Sequence, residues 1–133
     1  MTRILLLLSI VLAGCETLTL SAITVPPPGK TAHLDDEDDT IDISRGVALG
    51  FDCLANEDGY NGPCRDPRVS VADDTVAAIY TSYSDALAES YNYGHAGARG
   101  RTSFVVVGLR EGKTEVFITT KDGGISLDVN VKP

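Results

Sequence analysis

Three cysteines, two histidines and a set of acidic side chains are the groups through which this 133-residue chain could do chemistry. Cys15 closes the run Leu12-Ala13-Gly14-Cys15 behind a short apolar stretch, while Cys53 and Cys64 bracket Leu54 to Pro63. Zinc sites draw their ligands from compact Cys/His spacings, and His33 and His95 stand far from both cysteines in the chain, so no metal is expected on them. Ser84, Asp85, Ser90 and His95 supply the residue types of a hydrolytic triad. None of them sits in a nucleophile elbow, and nothing local orients His95 between Gly94 and Gly97. Asp35 to Asp39, with Asp42, could offer carboxylate oxygens to calcium, but the run has no Asp-x-Asp-x-Asp-Gly loop with a closing Glu. It reads as a solvated, self-repelling linker. The sequence therefore predicts a protein that is not an enzyme and needs no cofactor.

The chemistry left to Cys15 is set by what precedes it. Arg3 is the one charge before residue 16, Ile4 to Leu12 is apolar apart from Ser9, and Ala13 and Gly14 are small. A charged start, a short apolar core and a small-residue exit describe a signal peptide. The stretch is shorter than the roughly 20 apolar residues a membrane-spanning helix needs. Leu12 to Cys15 resembles the lipobox of bacterial lipoproteins. That resemblance implies cleavage after residue 14 and a diacylglycerol and acyl chain (palmitate-type lipid) on Cys15, which becomes the first residue. Several chains hold a protein firmly where one holds it marginally. Glu16 in place of an Asp after the cysteine implies, within that family, sorting to the outer membrane. An exported chain folds where disulfides persist, so Cys53 and Cys64 are expected to pair. Asp58-Gly59 and Asn61-Gly62-Pro63 between them are turn formers that let the chain double back. The formal charge is -8, and an acidic surface repels nucleic acid phosphates and anionic lipid headgroups, so both are poor partners.

The elements that must position these residues are read from alternation. Ile41 and Ile43, then Val47, Leu49 and Phe51, then Val69 and Val71 alternate with polar or small residues. Thr75 to Tyr80 and Phe104 to Val107 are short apolar runs, Val116 and Ile118 share a face, and Ile125, Leu127, Val129 and Val131 alternate over a long stretch. Period-two patterning with one wet face means strands. Asp73-Asp74, Gly112 and Asp122-Gly123-Gly124 mark turns. The expected fold is an all-β, Ig-like β-sandwich with Greek-key connections over residues 40–133. Residues 15–39 read as a lipidated acidic and proline-containing tether. In it Leu18, Leu20 and Ile23 to Val25 could dock as an edge strand, and Pro26-Pro27-Pro28 stops the ladder.

Val69 to Ile79 and Val107 to Thr119, the latter with its Gly112-Lys113-Thr114 turn, resemble the strand-turn-strand text of bacterial Ig-like domains of the group 2 type. Asp122 to Val131 is similar to their final strand. The likeness covers about residues 40–133. It implies the sandwich, and the non-enzymatic work such domains do in adhesion and as spacers in surface proteins. The chain departs from the pattern in having no tryptophan, in its Cys53/Cys64 loop, and in the long link between Ile79 and Phe104.

That link, Thr81 to Arg101, is the odd segment. Tyr80, Tyr83, Tyr91 and Tyr93 lie in or beside it, Arg99 and Arg101 bring positive charge, and Ser84 could cap a single helical turn over 84–90. Tyrosines are rigid amphipathic anchors and arginine pairs bidentately with carboxylates, so the segment reads as a candidate binding loop. A plain surface insertion whose tyrosines cover the sandwich edge accounts for the same residues. The expectation is a lipid-anchored envelope protein, held to the membrane through lipid on Cys15, that binds another envelope protein or a glycan. The alternative is an accessory subunit docked permanently into a larger envelope or secretion complex, which a contiguous exposed apolar patch would favour.

Overall fold

The computed structural model describes residues 18–57, 59–84 and 100–133, without the side chains of 83 and 84. The predicted leader, Cys15, Tyr91, Tyr93 and Arg99 lie outside the described residues, as does the helical turn expected after Ser84.

Ten strands form two sheets. They are β1 (Leu18–Ala22), β2 (Ala32–Asp35), β3 (Thr40–Ser44), β4 (Ala48–Glu57), β5 (Tyr60–Pro63), β6 (Arg68–Val71), β7 (Ala77–Ser84), β8 (Arg101–Gly108), β9 (Gly112–Thr120) and β10 (Gly123–Lys132). The first sheet runs β1-β4-β8-β7, with β5 pairing the far half of β4 alongside β8. The second runs β2-β3-β10-β9-β6. Neighbours are antiparallel except β3 and β10, which pair in parallel from Thr40 opposite Asp128 to Ser44 opposite Lys132. Hairpins join β2 to β3, β4 to β5, β7 to β8 and β9 to β10, and the other links cross between sheets. The architecture is the expected all-β sandwich.

Alternation puts one set of side chains between the sheets. Leu49, Phe51, Cys53 and Ala55 of β4 face Ile41 and Ile43 of β3, Val116 and Ile118 of β9, and Leu127 and Val129 of β10, all fully buried. Phe51 and Phe104 meet at 5.6 Å between ring centroids, tilted by 39°, within the range that aromatic pairs prefer. Burying such a ring contributes about 1.5–3 kcal/mol. At one end the sheets close over Gly108, where a Cβ would stand 2.9 Å from the Ser44 carbonyl oxygen and 3.1 Å from Val131 Cγ1. Only a glycine admits that approach without a shift.

The segment read as a tether is built into the sandwich from Leu18 onward. Leu18–Ala22 pairs in register with Ala55 to Phe51, and Leu20 reaches the core. Ala32–Asp35 pairs with β3, and Leu34 is buried. Pro26 to Lys30 is thus the crossover between sheets, closed by a hydrogen bond from Lys30 N–H to Pro27 O (3.1 Å). The acidic run is a hairpin turn: the Asp35 carboxylate accepts from the backbone N–H of Glu37 and Asp38 at 3.1 and 3.2 Å, and Asp39 takes a positive φ of 52°. Thr81 to Ser84 continue β7, with Ser84 opposite Arg101.

Candidate functional site

Two surfaces gather the side chains that sequence reasoning singled out. The first is the outer face of the sheet containing β1, β4, β8 and β7. Strand pairing sets its rows: Tyr80 opposite Val105, which stands opposite Gly50, and Ala78 opposite Val107, which stands opposite Ala48. Phe104 and Val106 point inward, so Val105 and Val107 stand on the outer side, half-buried, beside a Tyr80 that is 60% exposed. Gly50 is covered from outside by Ile23 and Thr24, and Thr24 Oγ1 accepts from Gly50 N–H at 2.9 Å. The result is an apolar strip of Ile23, Val105, Val107, Ala78 and Tyr80. Next to it lies a polar row in which Ser103 Oγ donates to the Asp52 carboxylate and Arg101 approaches the same group at 3.8 Å.

Of the six residues expected to form a binding loop, Tyr80 and Arg101 thus lie on this outer face rather than in a loop. Tyr83, in β7, pairs through its backbone with Thr102 of β8. Tyr91, Tyr93 and Arg99 fall outside the described residues.

The second surface is the end of the sandwich where β8 begins and β9 ends. Cys53 and Cys64 form a disulfide, with Cα atoms 5.5 Å apart. The β4–β5 hairpin brings them opposite each other, and the Cys64 N–H donates to the Cys53 carbonyl at 3.1 Å. Thr102 Oγ1, buried, donates to the Cys64 carbonyl at 2.6 Å, tying the bridge to β8. Tyr60 donates through its hydroxyl to the Pro63 carbonyl at 2.6 Å, and the Arg65 guanidinium lies over the Tyr60 ring at 3.9 Å.

Arg65 then reaches across to the other sheet. Its Nε donates to Asp122 Oδ1 at 2.8 Å, its Nη2 donates to the same oxygen, and its backbone N–H donates to Oδ2 at 2.8 Å. The Asp122 side chain is fully buried. The Arg65 hydrogen bonds hold its carboxyl below the usual carboxylate range, against the opposing effect of burial. Asp122, expected only as a turn residue, is the anchor that joins the disulfide link to the β9–β10 turn. Nothing in the local sequence signals a pairing across 57 residues.

On the outer face of the second sheet, Asp42, Asn130 and Lys132 form a third polar cluster. Lys132 Nζ lies 3.0 Å from the Asp42 carboxylate and lowers its pKa, with Asn130 donating at 3.1 Å. His33 is an exposed residue of β2 opposite Asp42. Among the described residues no group of three or more His, Cys, Asp or Glu stands close enough to share a metal ion. None of the buried side-chain polar atoms described lacks a hydrogen-bond partner. These clusters are satisfied internally, and their arrangement suits holding strands together or presenting a surface to a partner.

No protein-family model matches the sequence. A comparison with curated proteins finds no match. Solved structures do resemble it in fold. Domains 4 and 5 of the S-layer protein SbsC superpose with a TM-score of 0.54 at 16% identity, over 86% of this chain and 54% of that one. A structure of SbsC domains 1–6 gives 0.55 at 16%, over 87% of this chain and 12% of that one. SbsC domains 5–6 give 0.53 at 18%, over 81% and 44%. The chain spans about half or less of each of these structures. Likeness at this identity is a likeness of fold.

Proposed function

We propose that this protein is a lipid-anchored component of the bacterial cell envelope whose Ig-like sandwich, of the group 2 kind, works without catalysis by docking another envelope protein. The observation that carries this reading is the apolar strip of Ile23, Val105, Val107, Ala78 and Tyr80 on an outer sheet face. Contiguous apolar side chains outside a core mark interaction surfaces. Tyr80 adds an exposed aromatic ring to the strip, a residue type that interface centres favour. The fold likeness to domains of S-layer proteins supports a structural, surface-associated role. The Leu12 to Cys15 motif supports anchoring through lipid on Cys15, in the outer membrane on the strength of Glu16.

A glycan-binding, adhesion-like role is the second reading. It is favoured by the single observation that Tyr80 offers an exposed ring for stacking on a sheet face. Sugar recognition usually stacks on aromatic faces, and Tyr80 is the one aromatic side chain described on this face, which is why the protein partner is preferred here.

Two experiments test the proposal. Metabolic labelling with palmitate should tag the protein and not its Cys15→Ser variant, and labelling of that variant would refute the anchor. A photo-crosslinking phenylalanine at Tyr80, in the full chain in intact envelopes, should capture one discrete protein. The same probe at Phe117, on the opposite sheet and 37% exposed, should not. Equal capture at both positions, or at neither, would remove the docking face.

A further inference from the structure

We infer that the disulfide end of the sandwich is its membrane-facing end, apposed to phospholipid headgroups, and that the Pro26 to Lys30 crossover lies at the end facing away. The inference rests on the proposed lipid anchor at Cys15. Its geometry comes from the strands. Cys15 is three residues before Leu18, and a chain covers at most about 3.6 Å per residue, so Leu18 lies within about 11 Å of the anchored residue. Leu18 is no loose tether. It is hydrogen-bonded in register opposite Ala55, with Leu20 buried behind it.

The direction of β1 fixes the rest. Ala55 lies two residues beyond Cys53 on β4, so β1 starts past the disulfide at this end, passes Cys53 at Leu20 and runs toward Gly50. A free tether over 15–39 would have allowed a stand-off of about 80 Å. Instead the acidic and proline residues are consumed inside the fold, after β1, and cannot lengthen the connection.

Charged groups of both signs line the disulfide end. Arg65, Arg68, Arg101 and Lys121 lie at the disulfide end together with Asp122, buried against Arg65, Glu57, 3.8 Å from Arg65, and Asp52, 3.8 Å from Arg101. The Asp35 to Asp39 turn is set back, because Thr40 pairs with Asp128, five residues along β10 from its start at Gly123. That is about 17 Å at the rise of an extended strand. The anchor brings this end to the headgroups, and Tyr60 beneath Arg65 adds an amphipathic ring of the kind favoured at such interfaces.

The test uses the full lipidated chain in vesicles of phosphatidylethanolamine and phosphatidylglycerol doped with a nickel-chelating lipid. A bimane label is placed at Lys121→Cys, beside the disulfide, or at Glu111→Cys, at the opposite end. Both positions are exposed. Arg68→Cys and Lys113→Cys give an independent pair about 20 Å apart along the same axis. The ends lie about 30 Å apart along β10, so the lipid-borne nickel should quench the Lys121 and Arg68 labels at least about fivefold more than the Glu111 and Lys113 labels. Intact mass reads the anchor separately. A lipid adduct with equal or reversed quenching overturns the orientation and leaves the anchor standing. A chain without the adduct overturns the anchor and the orientation together.

Discussion

Replacing Cys53 and Cys64 together with alanine removes a covalent link whose worth follows from the length of chain it closes. The two cysteines are eleven residues apart, and the loop-closure entropy for a ring of that size corresponds to about 3 kcal/mol at 25 °C. The native arrangement has independent support. The β4–β5 ladder, the Thr102 hydrogen bond to the Cys64 carbonyl and the Arg65 clamp on Asp122 all hold β5 in place. The loss should therefore appear as a lower free energy of unfolding, with native circular dichroism retained. Both cysteines are buried, so the missing sulfur atoms add a small packing loss. The assay is urea unfolding of a Cys15→Ser chain with and without the two alanines. At a slope of about 1–1.5 kcal/mol/M, the midpoint should fall by about 2–3 M. A fall corresponding to less than about 1 kcal/mol would refute the entropic account. It would mean that the Asp58 to Pro63 turn residues already close the loop in the unfolded chain.

Other perturbations follow from named contacts. Asp122→Asn should destabilise the domain most at neutral pH. The folded Asp122 carboxyl is held below its ordinary value by Arg65, so its contribution is complete above the unfolded pKa of about 3.9 and is lost as pH falls through the folded pKa. Unfolding curves of the wild type and variant should therefore converge below about pH 4, and a gap that persists there would show that the charge is not what matters. Gly108→Ala should cost about 1–3 kcal/mol, because its Cβ meets the Ser44 carbonyl oxygen at 2.9 Å, and an unchanged melting temperature would refute that close approach. Leu20→Ala should cost about 2–5 kcal/mol and expose Leu18–Ala22 to proteases. Unchanged stability would mean that β1 contributes no core.

The strands that were legible in the sequence are those whose partners share their own strong alternation. Leu127, Val129 and Val131 announce β10, and Leu49 and Phe51 announce β4, because burial on one face selects every second residue. The disulfide was legible from compartment and count. β2 was not, since Ala32-His33-Leu34-Asp35 carries one buried side chain and merges with an acidic run. Its strand character comes from pairing with β3 rather than from its own residues. The extension of β7 through Ser84 was hidden for the same reason: Thr81, Ser82 and Ser84 are polar, and β8 imposes the ladder. The Arg65–Asp122 clamp lay beyond any local pattern, since neither residue stands in a motif and the contact exists only once two sheets have stacked.

The parallel pairing of β3 with β10 has a kinetic consequence. β10 lies third of five in its sheet, between β3 and β9, yet it enters after every other described strand. Thr40 must wait for Asp128, so that sheet cannot close on the growing chain and its assembly is deferred until residues 123–132 are available. Contacts this far apart in sequence place folding in the slow range of about milliseconds to seconds. An unsealed β3 edge persists meanwhile, a stretch of open hydrogen-bonding groups that makes the interval before β10 arrives the period when this protein is most exposed to misassociation.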